Sequence, residues 1–155
     1  MTPPELIALA RKKGAMISTA ESCTGGLIAG AITDIAGSSD VFDRGFVTYS
    51  NAAKTEMLEV DPDAITAFGA VSEEVARAMA VGALKHSDAT ITVSVSGVAG
   101  PGASGQKPEG RVCFGIAKSG ADPHVETVEF GPLGRDVVRQ KTVAKALHLL
   151  AEALS

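Results

Sequence analysis

The sequence predicts an α/β fold, a three-layer α/β/α sandwich around a mixed sheet. Three observations predict it. Short β-branched runs alternate with amphipathic helical runs through the first two thirds of the chain, the pattern of strands joined by crossover helices. Two further strand-like runs then meet across Ser119-Gly120-Ala121-Asp122-Pro123, which makes an antiparallel hairpin and so a mixed sheet. The 155 residues, 45% of them hydrophobic, suffice for one domain with a proper core and are too few for two, so residues 1–155 are read as one domain.

Taken in order, residues 3–13 carry Leu6, Ile7, Leu9 and Ala10 between charged positions and stop at Gly14, a short amphipathic helix. Ala15 to Ala20 is β-branched and reads as the first strand; Leu27 to Ala36 has helical spacing and ends at Gly37. Ser38-Ser39-Asp40 is a turn, and Arg44 to Ser50 has the aromatic and β-branched content of a second strand. Asn51 is the expected N-cap of a helix through Leu58, which puts Lys54 in its first turn and Tyr49 near the end of the strand. Asp61-Pro62 restarts a short helix. Ser72-Glu73-Glu74 opens a longer one to about His86, with Val75, Ala76, Met79, Ala80, Ala83 and Leu84 as its buried stripe. Ala89 to Ser96 alternates apolar with small polar residues, the clearest strand of the chain, and runs into a glycine-rich loop over residues 97–110. Arg111 to Lys118 and Val125 to Phe130 form the hairpin. A last helix, Arg135 to Leu154, docks through Val138, Leu147, Leu150 and Leu154.

Composition removes several function classes. A net charge of -4 without any run of lysine or arginine leaves no electrostatic footprint for nucleic acid or an anionic membrane. No apolar run approaches membrane-spanning length, and Pro3, Pro4 and Glu5 stand where a signal peptide has a basic and then an apolar region, so a soluble cytoplasmic protein is expected. Two cysteines give no disulfide framework and three scattered histidines no metal-binding spacing, so no metal is expected. Gly100-x-Gly102-x-x-Gly105 has the letters of a dinucleotide fingerprint, but Pro108 and Gly110 follow where a helix must begin; Gln106-Lys107 likewise misses the phosphate loop of ATPases.

What remains is the strand-to-helix turn Ala20-Glu21-Ser22-Cys23-Thr24-Gly25-Gly26. Such a turn presents a hydroxyl beside unpaired amides and the positive end of a helix, where a developing oxyanion is stabilised. Ser22, Cys23 and Thr24 are its candidate nucleophiles or donors. Cys23 could serve as a thiolate activated by the helix. Ser22 with Lys54 is the better pair, because a desolvated lysine near a helix N-terminus can be neutral and take the serine proton without histidine. Arg135 and Arg139 share a helical face at i and i+4, the spacing of a phosphate or carboxylate clamp.

Ala20-Glu21-Ser22-Cys23-Thr24-Gly25-Gly26, Thr33-Asp34-Ile35-Ala36-Gly37-Ser38-Ser39, Gly45-Phe46-Val47-Thr48-Tyr49-Ser50-Asn51-x-x-Lys54, Gly69-Ala70-Val71-Ser72 and Ser96-Gly97-Val98-Ala99-Gly100-Pro101, in that order, resemble the CinA C-terminal domain family over residues 5 to 150. Its members are nicotinamide-nucleotide amidohydrolases, found alone or fused behind a molybdopterin-binding-like domain; by length this chain is similar to the stand-alone form. The resemblance implies cofactor-free hydrolysis of the carboxamide of nicotinamide mononucleotide to nicotinic acid mononucleotide and ammonia, a step of pyridine nucleotide salvage. It implies Ser22 as nucleophile, Lys54 as general base and Tyr49 as a supporting donor. It further implies amides at Thr24, Gly25 and Gly26 for the oxyanion, Arg139 for the phosphate, and Glu21, Ser96, Gly97 and Gly100 as further substrate-binding positions. A homodimer through an apolar helix face is compatible with the pattern. The competing readings are a non-enzymatic nucleotide-sensing or competence-linked module, and an amidase for another heterocyclic amide.

Overall fold

Thr2 caps the first helix through a reciprocal capping box with Glu5, with Pro3 at its first position, so α1 spans Pro3–Lys12. The computed structural model describes residues 1–155. Beyond α1 run β1 (Ile17–Glu21), α2 (Leu27–Thr33), a 3₁₀ turn at Ser38–Asp40, β2 (Phe42–Val47), α3 (Asn51–Leu58), α4 (Pro62–Phe68), α5 (Glu73–Lys85), β3 (Ile91–Gly97), β4 (Arg111–Lys118), β5 (His124–Glu129) and α6 (Arg135–Leu154).

The sheet is mixed, in the order β2-β1-β3-β4-β5. β1 lies parallel to both β2 and β3, and β4 and β5 add antiparallel. α1, α2 and α6 pack together on one face, while α5 lies on the other with α3 and α4 against it. The chain leaves β1 toward β2 over one face and returns past it to β3 over the other. Strand order therefore reverses at β1, and the crevice of such a sheet opens at the carboxyl ends of the strands beside the switch. Those ends are Glu21, Val47 and Gly97.

The larger core lies under α1, α2 and α6, where Ile17, Ile91, Val93, Val95 and Phe114 of the sheet meet Leu6, Ile28, Ile32, Leu147 and Leu150. A smaller cluster of Ala20, Leu58, Val60, Ile65, Val75, Met79 and Ala83 holds the opposite layer. The alternation in β3 does not mean a wet face. Thr92 and Ser94 are fully buried and donate to the carbonyls of Ala80 and Ala76 on α5, at 2.7 and 2.5 Å. Their small hydroxyls let α5 sit close, and Gly115 permits the same approach, since a Cβ there would stand 2.6 Å from the Ala76 oxygen.

Several boundaries shift by a few residues. Ser50, not Asn51, caps α3, accepting the Ala53 amide at 3.0 Å; the two residue types cap about equally well, so propensity alone does not separate neighbours. β2 begins at Phe42 and ends at Val47, so Tyr49 lies in the connection to α3. Glu21, placed in the loop by the sequence pattern, is the last residue of β1. α2 ends at Thr33, short of Ala36, and the Thr33 hydroxyl turns back onto the Ala29 carbonyl at 2.8 Å.

Gly82 sets the distance between α5 and α3, the helix that carries Lys54. A Cβ there would lie 2.1 Å from the Leu58 carbonyl oxygen. Alanine is worth about 1 kcal/mol over glycine inside a helix, but a clash with rigid backbone costs about 1–3 kcal/mol and also forces α3 outward. Gly82→Ala is expected to lose about 1 kcal/mol of stability, the balance of the two, lowering Tm by about 2–4 °C in calorimetry. An unchanged or raised Tm would mean that α3 yields freely.

Candidate active site

The Ser22 amide donates to the Val95 carbonyl at 3.1 Å, continuing the β1–β3 pairing one residue past the strand and bringing Ser22 alongside Ser96. From across the crevice, α3 delivers Lys54. Its Nζ stands 3.0 Å from Ser22 Oγ, 2.9 Å from the Thr48 carbonyl and 3.1 Å from that of Tyr49. Lys54 is only 1% exposed, and none of the ion pairs of the protein includes it. Burial pushes its ammonium below the ordinary lysine range, against a smaller opposing contribution from Cys23. In the neutral form two N–H bonds satisfy the two carbonyls, and the lone pair is left for the Ser22 hydroxyl. That is the arrangement of a general base on its nucleophile.

Ser22 and Lys54 open onto a cleft of about 200 Å³, walled by Tyr49, Ala70, Val71, Ser96, Gly97 and Arg135 among others. A wider hollow of about 380 Å³ between α3 and α4 has Glu56 as its one charged residue and no hydroxyl paired with a buried amine, the pairing that the smaller cleft contains. Gly97 must be glycine here, because a Cβ would stand 2.6 Å from the Val112 side chain. Lys107 of the long loop bonds the carbonyls of Phe68 and Val71, fixing one wall of the cleft to the other.

The profile of the CinA C-terminal domain matches residues 3–154. The chain belongs to this family. The nicotinamide-nucleotide amidohydrolase PncC of Enterobacter agglomerans is 56% identical over 146 residues, covering 93% of this chain and 88% of that protein. A CinA-like protein of Chlorobium phaeovibrioides is 47% identical over 154 residues; they cover 96% of this chain and 36% of that longer protein. Among solved structures, a competence/damage inducible protein from Agrobacterium tumefaciens superposes with a TM-score of 0.89 at 48% identity, over 99% of this chain and 98% of that one.

Within this CinA domain several expected contacts take a different form. The Glu21 carboxylate is 1% exposed and spent inside the protein: it accepts the Thr24 hydroxyl at 2.5 Å and the amides of Gly26, Ile28 and Ala29 at 3.2, 2.9 and 3.0 Å. Glu21 and Thr24 thus hold the loop and leave no side-chain atom for substrate. The N-terminus of α2, expected to face an anion from outside, is occupied by this internal one. Gly25 and Gly26 are likewise engaged, the Gly25 amide donating to the Ser22 carbonyl at 3.1 Å. The loop amides that donate to no acceptor in the protein are those of Cys23 and Thr24.

Tyr49 meets the pair through its main-chain carbonyl rather than its phenol, which is turned outward and accepts from Arg135 Nη2 at 3.2 Å. Arg135 also donates to the Gly100 carbonyl at 2.8 Å, so Gly100 anchors the arginine. Arg139 is turned away from the cleft, donating from Nε to the Cys23 carbonyl at 3.1 Å and from Nη2 to that of Thr24 at 3.2 Å. Cys23 is buried and its thiol pushed up to about 11, chiefly by burial, with Glu21 adding to the rise, so it is a protonated thiol. The three histidines each meet a surface glutamate: His86 with Glu59, His124 with Glu126, His148 with Glu152. No group of three or more histidine, cysteine, aspartate or glutamate side chains is placed to hold a metal ion, and no helix is long and apolar enough to cross a membrane.

Proposed function

We propose that the chain hydrolyses the carboxamide of nicotinamide mononucleotide to nicotinic acid mononucleotide and ammonia, through an acyl-enzyme on Ser22. The observation that carries this reading is the buried Lys54 Nζ at 3.0 Å from Ser22 Oγ, with no carboxylate to hold it charged. The 56% identity to a nicotinamide-nucleotide amidohydrolase supports the choice of substrate.

Neutral Lys54 takes the Ser22 proton as Oγ attacks the amide carbon. The amides of Cys23 and Thr24 receive the oxyanion, the former being that of the residue after the nucleophile. Protonated Lys54 then gives its proton to the departing nitrogen, the C–N bond breaks and ammonia leaves the nicotinoyl ester of Ser22. Lys54, neutral again, deprotonates a water that attacks the ester, and the proton returns to Ser22 as the acid departs. Ser96 and Gly97 border the reacting amide. Arg135, at the mouth, takes the phosphate in place of Arg139: it lines the cleft and has no carboxylate partner.

Ammonia release from nicotinamide mononucleotide, with the acid product identified by mass, tests the reading. Release by the purified chain supports it; a folded chain that binds the nucleotide without releasing ammonia overturns it in favour of a sensing module. Arg135→Ala is expected to raise KM for the mononucleotide by about 10–100-fold, the worth of a charge-assisted contact, and to leave turnover of nicotinamide riboside, which lacks the phosphate, unchanged. An equal loss on both substrates would remove Arg135 from the phosphate.

A further inference from the structure

Resting on the acyl-transfer reading of the site, the geometry points to Arg139 as the residue that positions the oxyanion hole from outside the cleft. A trans peptide holds the carbonyl of one residue and the amide of the next in one plane, pointing in opposite directions. Fixing a carbonyl therefore aims the following N–H. The Gly25 amide holds the Ser22 carbonyl at 3.1 Å and so aims the Cys23 N–H. Arg139 Nε holds the Cys23 carbonyl at 3.1 Å and so aims the Thr24 N–H. Arg139 Nη2 and the Leu27 amide hold the Thr24 carbonyl at 3.2 and 3.1 Å, which aims the Gly25 N–H back at Ser22 and closes the chain of constraints.

Of these three consecutive peptide planes the guanidinium on α6 holds two directly and the first through the Gly25 amide, and the two loop amides left without an acceptor are the ones the mechanism needs. The planar fork reaches two successive carbonyls, which an ammonium cannot do with the same geometry. Glu21 fixes the other end of the loop at Gly26, Ile28 and Ala29, so between them buried Glu21 and half-buried Arg139 leave the Cys23–Thr24 amides no slack. A preorganised donor pair costs no reorganisation at the moment of reaction, and loss of one donor typically costs about 10²–10³ in kcat.

The test compares wild type with Arg139→Ala, Arg139→Lys and Arg139→Gln on nicotinamide mononucleotide and on nicotinamide riboside. The expected result is a fall in kcat of about 10²–10³ for Arg139→Ala, equal on the two substrates, with KM nearly unchanged, partial recovery in added guanidinium and an intermediate loss for Arg139→Lys. A loss confined to the phosphorylated substrate and seen in KM overturns the proposal and returns Arg139 to the phosphate. Labelling of Ser22 by a fluorophosphonate gives a readout free of the natural substrate: the Ser22 O–P bond forms, the P–F bond breaks, fluoride leaves and the proton passes to Lys54. Its rate is expected to fall with the same ranking of variants. An unchanged labelling rate overturns the positioning role even if the wild type releases no ammonia, an outcome that separately removes the amidohydrolase reading. Where Arg139→Ala does not fold, Arg139→Lys and Arg139→Gln decide by the same comparison.

Discussion

Ser22→Ala is expected to lower kcat by about 10⁴-fold or more while the fold survives. In the proposed mechanism the Ser22 hydroxyl oxygen is the atom that bonds to carbon, and no neighbour is placed to replace it. Cys23 is the nearest alternative, yet its thiol is buried and titrates near 11, leaving little thiolate at neutral pH. Thr24 is fully buried and its hydroxyl is held by Glu21. The stability cost is expected to be within about 1 kcal/mol, the net worth of one hydrogen bond, because Lys54 keeps the carbonyls of Thr48 and Tyr49. Ammonia release and a melting curve on the same sample check both halves. A second substitution at Lys54 is expected to add little, since residues that act as one unit do not lose rate independently. If Ser22→Ala turned over near the wild-type rate, no acyl-enzyme could lie on the pathway, and Lys54 would have to activate water directly.

How far this site is legible in the sequence depends on which atoms do the work. Ser22 and Lys54, the proposed pair, would act through side chains at two strand-to-helix junctions, and both junctions announce themselves by a β-branched run followed by helical spacing. The α5 stripe is equally plain, because burial there follows the helical period, while the β4–β5 hairpin shows itself by the turn with Gly120, Asp122 and Pro123 between two strand-like runs, β4 being buried almost throughout. The carbonyls of Thr48 and Tyr49, which hold the lysine, carry no residue signature at all. Tyr49 was expected beside the pair as a phenol and arrives as a carbonyl, because β2 stops at Val47 and the chain turns before its ring can face inward. Glu21 and Arg139 mislead for a different reason. A charged residue beside a catalytic motif suggests a ligand, but each is consumed by backbone groups of the loop between them, contacts that span 5 to 8 residues for the Glu21–amide bonds and 115 to 116 for Arg139. Local pattern cannot reveal bonds whose partner is main chain and whose reach is set by how α6 crosses the sheet.

Lys54→Met is expected to lower turnover about as far as loss of Ser22, and Lys54→Arg to be no better. The comparison separates two roles. An electrostatic anchor survives as arginine, which keeps the charge and donors, whereas a base does not, because guanidinium stays protonated at every working pH. In the wild type, kcat/KM is expected to rise with pH as Lys54 loses its proton, with a midpoint below the roughly 10.4 of a free lysine, since burial lowers it. The linkage carries the same sign into stability. Between the folded-state pKa and about 10.4 the unfolded chain binds more protons at this position than the folded one, so the group's contribution to stability rises with pH across that window and is smallest below it. Lys54→Met abolishes that dependence, and urea midpoints for the two proteins at neutral and alkaline pH measure it. A pH–rate profile still rising in Lys54→Arg with the wild-type midpoint would assign the titration to another group, and the base would have to be sought in the solvent.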